Sequence, residues 1–195
     1  MSFKITIGVP SNRLIKPETA QSLLDLVTKG THDFHIVVAS EGYTIAENRT
    51  YIAVQAYNNG SDYLFFVDDD MKFNPNILDK LLAHDKDIIG GVYSSRKKDS
   101  PRLVYRSMED VVDLNKEPLT ELTQVIAKGT ALMLINMRVF KGMARPWFEF
   151  TYDENGMCTE GEDWFFCRKA RAHGFEVWVD PTIENKHIGD YEYTL

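Results

Sequence analysis

Apolar and polar positions alternate over Lys4-Ile5-Thr6-Ile7-Gly8-Val9 and stop at Pro10, the pattern of a strand running into a loop. Pro17 to Thr28 predicts a helix with Leu23, Leu24 and Val27 on one face, Pro17 in its first turn and Gly30 as its stop. Phe34 to Ala39 reads as a second strand, and Ile45 to Tyr57 as a second helix closed by Asn58-Asn59-Gly60. The run Tyr63-Leu64-Phe65-Phe66-Val67 is apolar throughout, as expected of a strand buried on both faces. Asn74 and Pro75 predict the capped start of a helix through Leu82, and Asp87 to Tyr93 a fourth strand. This βαβαβαβ alternation specifies a parallel sheet covered by helices and joined by right-handed crossovers.

The regular order ends at Tyr93. Ser94 to Ser107 is polar and basic, with weak strand character at Leu103-Val104-Tyr105, and Glu109 to Glu121 reads as loop or short hairpin. Ala131 to Ile135 is an apolar strand, followed by a short helix around Val139 to Met143. Asp153 to Gly161 reads as loop, Glu162 to His173 as a helix stopped by Gly174, and Phe175 to Val179 as a last strand stopped by Pro181. No repeat and no low-complexity linker divides the chain. The expectation is one α/β domain with a nucleotide-binding half over 1–93 and an acceptor-side half over 94–195.

The 195 residues, 44% of them hydrophobic, suffice for one core, and no run approaches the roughly 20 apolar residues of a membrane span. The formal charge of −7 disfavours broad binding to a phosphate backbone, which needs clustered Lys and Arg. Arg96-Lys97-Lys98 is the local exception. Cys158 and Cys167 form no CxxC pair, Cys167 suits a buried small hydrophobe, and Met1 leads straight into a strand pattern with no signal peptide. A reducing, cytoplasmic location is therefore expected.

The chemistry concentrates at Asp68-Asp69-Asp70, delivered by the apolar strand to its carboxyl end. Ligands of open parallel sheets bind at that edge. Three adjacent carboxylates repel one another unless a cation intervenes, and a hard divalent ion takes oxygen ligands. In extended backbone Asp68 and Asp70 point one way and Asp69 the other. Asp70 is then expected to hold the metal, and Asp68 to reach a ribose or the same metal.

The segment Tyr63 to Met71 resembles the DxD region of GT-A (Rossmann-like) glycosyltransferases, especially of the family 2 type. Gly161-Glu162-Asp163-Trp164-Phe165-Phe166-Cys167-Arg168 resembles their downstream acidic helix, and Gly174 to Val179 followed by His187 their closing strand and metal-binding histidine. Gly129 to Ile135 is similar to the strand before the acceptor site. The resemblance implies a mainly parallel sheet flanked by helices with a smaller acceptor-side β region. It implies Mn²⁺ or Mg²⁺ held by Asp68, Asp70 and His187, and a nucleotide-sugar donor contacted through Pro10, Ser11, Arg13, Ser40, Glu41, Arg49, Asp68 and Asp69. It makes Asp163 the base and Glu162 an acceptor-binding or supporting carboxylate, with inversion at the sugar carbon and a uridine diphosphate sugar the favoured donor. Trp147, Phe148, Phe150 and Trp164 suit core packing and sugar stacking equally.

The QxxRW motif of processive synthases is absent, which favours a single transfer. Compact forms of this kind look like those of large viruses and phages. The acceptor hydroxyl then belongs to a carbohydrate or to a modified nucleobase in DNA, with Arg96-Lys97-Lys98 and Arg102 as a local contact, and the location becomes the host cytoplasm. Two other readings use the same residues. A sugar nucleotidyltransferase needs a glycine-rich basic loop after the first strand, of which Gly8-Val9-Pro10-Ser11-Asn12-Arg13 is a poor version. A non-catalytic sugar-nucleotide or carbohydrate-binding module has no need of Asp68, Asp70, Asp163 and His187 together.

Overall fold

A computed structural model describes residues 2–12, 14–40, 42, 44–93 and 103–189. Strand β1 (Lys4–Pro10) pairs in parallel with β2 (Asp33–Ala39) on one side and β3 (Tyr63–Phe66) on the other. Further along the sheet lie β5 (Ile88–Gly91) and β12 (Val177–Asp180), also parallel to one another. Between β3 and β5 runs β9 (Met133–Asn136), antiparallel to both, and at the far edge β8 (Thr123–Val125) runs antiparallel to β12. The result is a seven-stranded, mainly parallel sheet in the order β2-β1-β3-β9-β5-β12-β8. Strand β9 has an apolar pattern like its parallel neighbours, so its direction was not readable from periodicity, and the short, polar β8 was not readable as a strand.

Strand alternation divides the core. Ile5, Ile7, Phe65 and Val67 face α1 (Pro17–Lys29) and α3 (Ile77–Ala83), whereas Leu64 and Phe66 face α2 (Ile45–Asn58), α4 (Met137–Gly142) and α5 (Glu162–Ala172). Leu26 rather than Leu24 completes the inner face of α1, and Leu24 is exposed, because the buried stripe follows residues 19, 22, 23 and 26. Asn74 does not cap α3. Its side chain accepts from the Asn76 N–H, and the helix begins two residues later than expected, at Ile77. The segment before it forms β4 (Met71–Phe73), which pairs antiparallel with β13 (Asn185–His187), a strand too short and polar to be seen in the sequence.

The hairpin of β6 (Leu103–Tyr105) and β7 (Val111–Asp113) occupies the region expected to be hairpin or loop. The expected loop 153–161 instead contributes to a second hairpin, β10 (Thr151–Tyr152) with β11 (Cys158–Glu160). Trp147 and Phe148 are core, with Phe148 stacked on Phe166 at 4.8 Å, and Cys167 is buried as expected. Among the described residues no helix is long and apolar enough to cross a membrane.

Candidate active site

Every parallel strand ends at the same edge of the sheet, and the acidic triplet leaves β3 there. It does not continue as extended backbone. The chain turns at Asp69 and Asp70 to enter β4, and the Met71 N–H donates to the Asp68 carbonyl at 3.3 Å. The three carboxylates therefore diverge. Asp68 accepts from Arg49 Nη1 at 3.1 Å, Asp69 from Ser11 Oγ at 2.9 Å and the Asn12 N–H at 3.1 Å, and Asp70 meets His187 Nε2 at 3.1 Å. The expected common direction of Asp68 and Asp70 is lost because a turn, not a strand, carries them.

Asp70 is 4% exposed. It is held to β13 by its carbonyl, which accepts from the Ile188 N–H at 2.8 Å, and this bond brings His187 opposite its carboxylate. The His187 ring is packed edge-on against Tyr93. Among the described residues no group of three or more His, Cys, Asp or Glu side chains gathers around one point. The pair that does form, a buried carboxylate facing an imidazole, is a donor set that manganese or magnesium accepts when phosphate oxygens and water complete its shell.

Arg49 lies on α2, whose start is fixed by a capping box between Thr44 and Glu47. Its guanidinium is buried and bridges two acids, with Nε on Glu162 and Nη1 on Asp68, each at 3.1 Å. Burial opposes its charge, but Asp68 and Glu162 outweigh burial and raise its pKa. Glu162 and Asp163 open α5 at Gly161, in the first turn where the helix dipole favours acids. Asp163 accepts from the Trp164 N–H at 2.8 Å. Burial first, and the charge of Glu162 second, raise its pKa.

Two groups at this edge were missed in the sequence, the partly buried Tyr93 and the buried Lys128. The reversed strand β9 explains both. Because it runs opposite to β3 and β5, the residues entering it, 128 to 132, lie at the carboxyl edge. Lys128 Nζ donates to the Gly129 carbonyl at 2.6 Å and sits 5.7 Å from the Tyr93 ring centre. Burial pushes Lys128 down to about 8, and burial raises the Tyr93 phenol. Two glycines make this packing feasible. A Cβ on Gly129 would lie 2.0 Å from the Tyr93 hydroxyl, and one on Gly90 would lie 2.1 Å from the Leu132 carbonyl oxygen and 2.7 Å from Lys128 Nζ. Glycine spacing around a lone lysine was the only signal in the sequence.

On the other side of the acidic turn, Pro10 ends β1, and the buried Ser11 ties the following loop to Asp69 and, through its N–H, to the Ala39 carbonyl. Ser40 lines a cavity of about 540 Å³ with Gly42, Glu47, Asn48 and Tyr51. Asn48 shapes it by accepting from the Gly42 N–H at 2.8 Å. Arg13, Glu41, Arg96-Lys97-Lys98 and Arg102 lie outside the described residues.

The sheet order, the acidic turn after β3 and the covering helices define a GT-A-like α/β fold. The chain is similar to A197 from STIV, with 18% identity over 97% of this chain and 87% of that one and a TM-score of 0.64. It is also similar to residues 1–349 of S. aureus TarS in complex with UDP-GlcNAc, with 13% identity, 98% of this chain covered and a TM-score of 0.51. It spans 60% of that TarS chain. A third similar structure is the inositol-1-phosphate CTP transferase from T. maritima, with 15% identity over 96% of this chain and 89% of that one and a TM-score of 0.51. At these identities the likeness establishes the fold. No family model matches the chain, and no curated protein does.

Proposed function

We propose that the chain is a metal-dependent glycosyltransferase that moves a sugar from a nucleotide diphosphate, with uridine the favoured base, to an acceptor hydroxyl. One observation carries the reading. At the tip of β3, Asp70 faces His187, while Arg49 ties Asp68 to the helix that presents Glu162 and Asp163. The sheet edge thus joins a cation-ready pair to a partly buried acid of raised pKa, Asp163.

In this reading Asp70 and His187 hold Mn²⁺ or Mg²⁺, which when bound supplies Lewis-acid stabilisation of the departing diphosphate. Pro10, Ser11 and Asp69 shape the donor loop, and the cavity bordered by Ser40 and Asn48 receives the base. Asp163 takes the acceptor proton as the acceptor oxygen forms its bond to the sugar carbon. The bond from that carbon to the diphosphate oxygen breaks, its electron pair leaves with the nucleotide, and the configuration inverts. A raised pKa makes Asp163 a stronger base than an exposed aspartate. Arg49 acts by holding Asp68 and Glu162 in place.

Titration of the protein with uridine diphosphate sugars, with and without manganese, tests the reading. Binding should require manganese in the wild type and vanish in Asp70→Ala. Equal affinity in both proteins would remove the assignment. A nucleotidyltransferase would instead release pyrophosphate from a nucleoside triphosphate and a sugar phosphate, and a binding module would hold the donor without turnover on any acceptor.

A further inference from the structure

Beside Asp163 lies a pocket of about 270 Å³ whose lining includes Val104, Tyr105, Val125, Ala127, Lys128 and Trp164. Its walls are mostly apolar, with Trp164 and Tyr105 packed edge to face at 5.1 Å. The size suits one substituted sugar ring or less, and pockets of this kind select through a few placed polar groups. Here the placed group is Lys128, which is 8% exposed. An ammonium has three N–H donors. One is used on the Gly129 carbonyl, and among the described residues the ammonium makes no other hydrogen bond and no ion pair. Buried donors left unmatched are costly, so a ligand oxygen that accepts from them is favoured. Burial takes Lys128 only to about 8, so it remains a charged donor at neutral pH.

The charges nearby decide which oxygen. Lys128 faces Asp163 and Cys167 from α5, Asp68 from the end of β3, and Arg49 from α2. Burial pushes the Cys167 thiol up to about 12, so it is neutral. With Glu162 included, the cluster holds two cations against three carboxylates. A ligand carboxylate would add a fourth negative charge. A neutral carbonyl adds none, and an attached methyl fits against Val104, Val125 and Ala127. That combination is an N-acyl group.

We propose that this pocket is an acceptor subsite for an N-acylated amino sugar, with the acyl oxygen on Lys128 and the ring against Trp164. The proposal rests on the transferase reading for the word acceptor. The acyl group could equally be carried by the donor sugar, and the test separates the two. Methyl N-acetylglucosaminide and methyl glucoside are titrated by ligand-observed NMR without nucleotide. The acylated glycoside should bind at least about tenfold more tightly, the loss expected for an unmatched buried donor. Lys128→Met should reduce the preference to within about twofold. Ala127→Leu, which fills the pocket without touching the ammonium, should do the same and decides the matter if Lys128→Met fails to fold. Equal binding of the two glycosides, or none, overturns the proposal. So does a preference for methyl glucuronide, or a Lys128 effect seen only between UDP-GlcNAc and UDP-glucose. Failure of both nucleotide sugars to bind, with the glycoside preference intact, would instead sink the transferase reading and leave the pocket standing.

Discussion

Removing the buried guanidinium by Arg49→Met probes the link between the acidic turn and α5. Arg49 is 5% exposed in its side chain, and its two partners, Asp68 and Glu162, are 26% and 11% exposed. Breaking a buried pair by deleting one partner costs about 3–5 kcal/mol, because the other charge is left uncompensated. The Asp68 arm is partly screened by water, which places the expected loss near the lower end, about 3 kcal/mol. Methionine keeps much of the packing on Phe66, whose ring centre lies 5.5 Å from the guanidinium carbon, so the loss is chiefly electrostatic. For a chain of this size 1 kcal/mol shifts the melting temperature by about 2–4 °C, so Arg49→Met should melt roughly 6–12 °C below the wild type. A double-mutant cycle with Glu162→Gln isolates the pair. Its coupling energy, read from urea unfolding, should reach about 2 kcal/mol. A coupling near zero, or a melting temperature within a degree of wild type, would refute the view that Arg49 braces the site.

Asp163→Asn should leave donor affinity nearly unchanged and lower transfer strongly; full transfer would move the base elsewhere. The same variant should also be more stable than wild type at pH 7. An acid whose folded pKa is raised binds protons more tightly in the native state, so folding stability falls as pH rises from the unfolded pKa through the folded one. The gain should disappear at pH 3, where both states are protonated, and a melting temperature below wild type at pH 7 would contradict it. Gly129→Ala should cost about 1–3 kcal/mol through its overlap with the Tyr93 hydroxyl, and Tyr93→Phe should recover part of that loss; unfolding midpoints of the two single variants and the double measure it. For Asp180, burial raises the pKa, but hydrogen bonds from Thr182 and His84 outweigh it and hold the carboxyl low. Its contribution is present above the unfolded pKa and is lost as pH falls through the folded one, so Asp180→Asn should destabilise at pH 7 and lose its effect in acid.

Much of this was legible in the sequence, and the parts that were not share a cause. Periodicity reports how often side chains face the core, and it located β1, β2, β3, β5, β9, β12 and the long helices to within a few residues. It is blind to strand direction. It also fails where pairing rather than burial makes the strand, as in β13, whose residues are all partly or fully exposed and whose order depends on the ladder to β4. Motif resemblance singled out Asp70, His187, Glu162 and Asp163, and the fold brings Asp70 to His187 and, through Arg49, Glu162 to Asp68. It could not foresee how the triplet is shared, because a three-residue turn gives each carboxylate a different partner.

Strand direction then fixes what the site can recognise. Had β9 run parallel to β3 and β5, the segment entering it would lie at the opposite edge, and Lys128 would be an ordinary loop lysine. Reversed, the strand pairs Met133 with both Phe66 and Gly90 and brings residues 128 to 132 among the ends of β3 and β5. Leu132 enters the strand with φ of 55°, a left-handed conformation that costs on the order of 1 kcal/mol for a branched side chain. That strain is offset by packing, since Leu132 is wholly buried and its carbonyl lies over Gly90. Replacing Gly90 with alanine should therefore displace Leu132 and Lys128 together. Its Cβ meets the Leu132 carbonyl on one side and the Lys128 ammonium on the other; the flexible ammonium yields easily, whereas the carbonyl yields only through a shift of the backbone at Leu132. The variant should lose about 1–3 kcal/mol of stability and, where it folds, lose the preference for the acylated glycoside while still binding the nucleotide sugar with manganese. Retention of that preference in a folded Gly90→Ala protein would break the connection drawn between the reversed strand and the pocket.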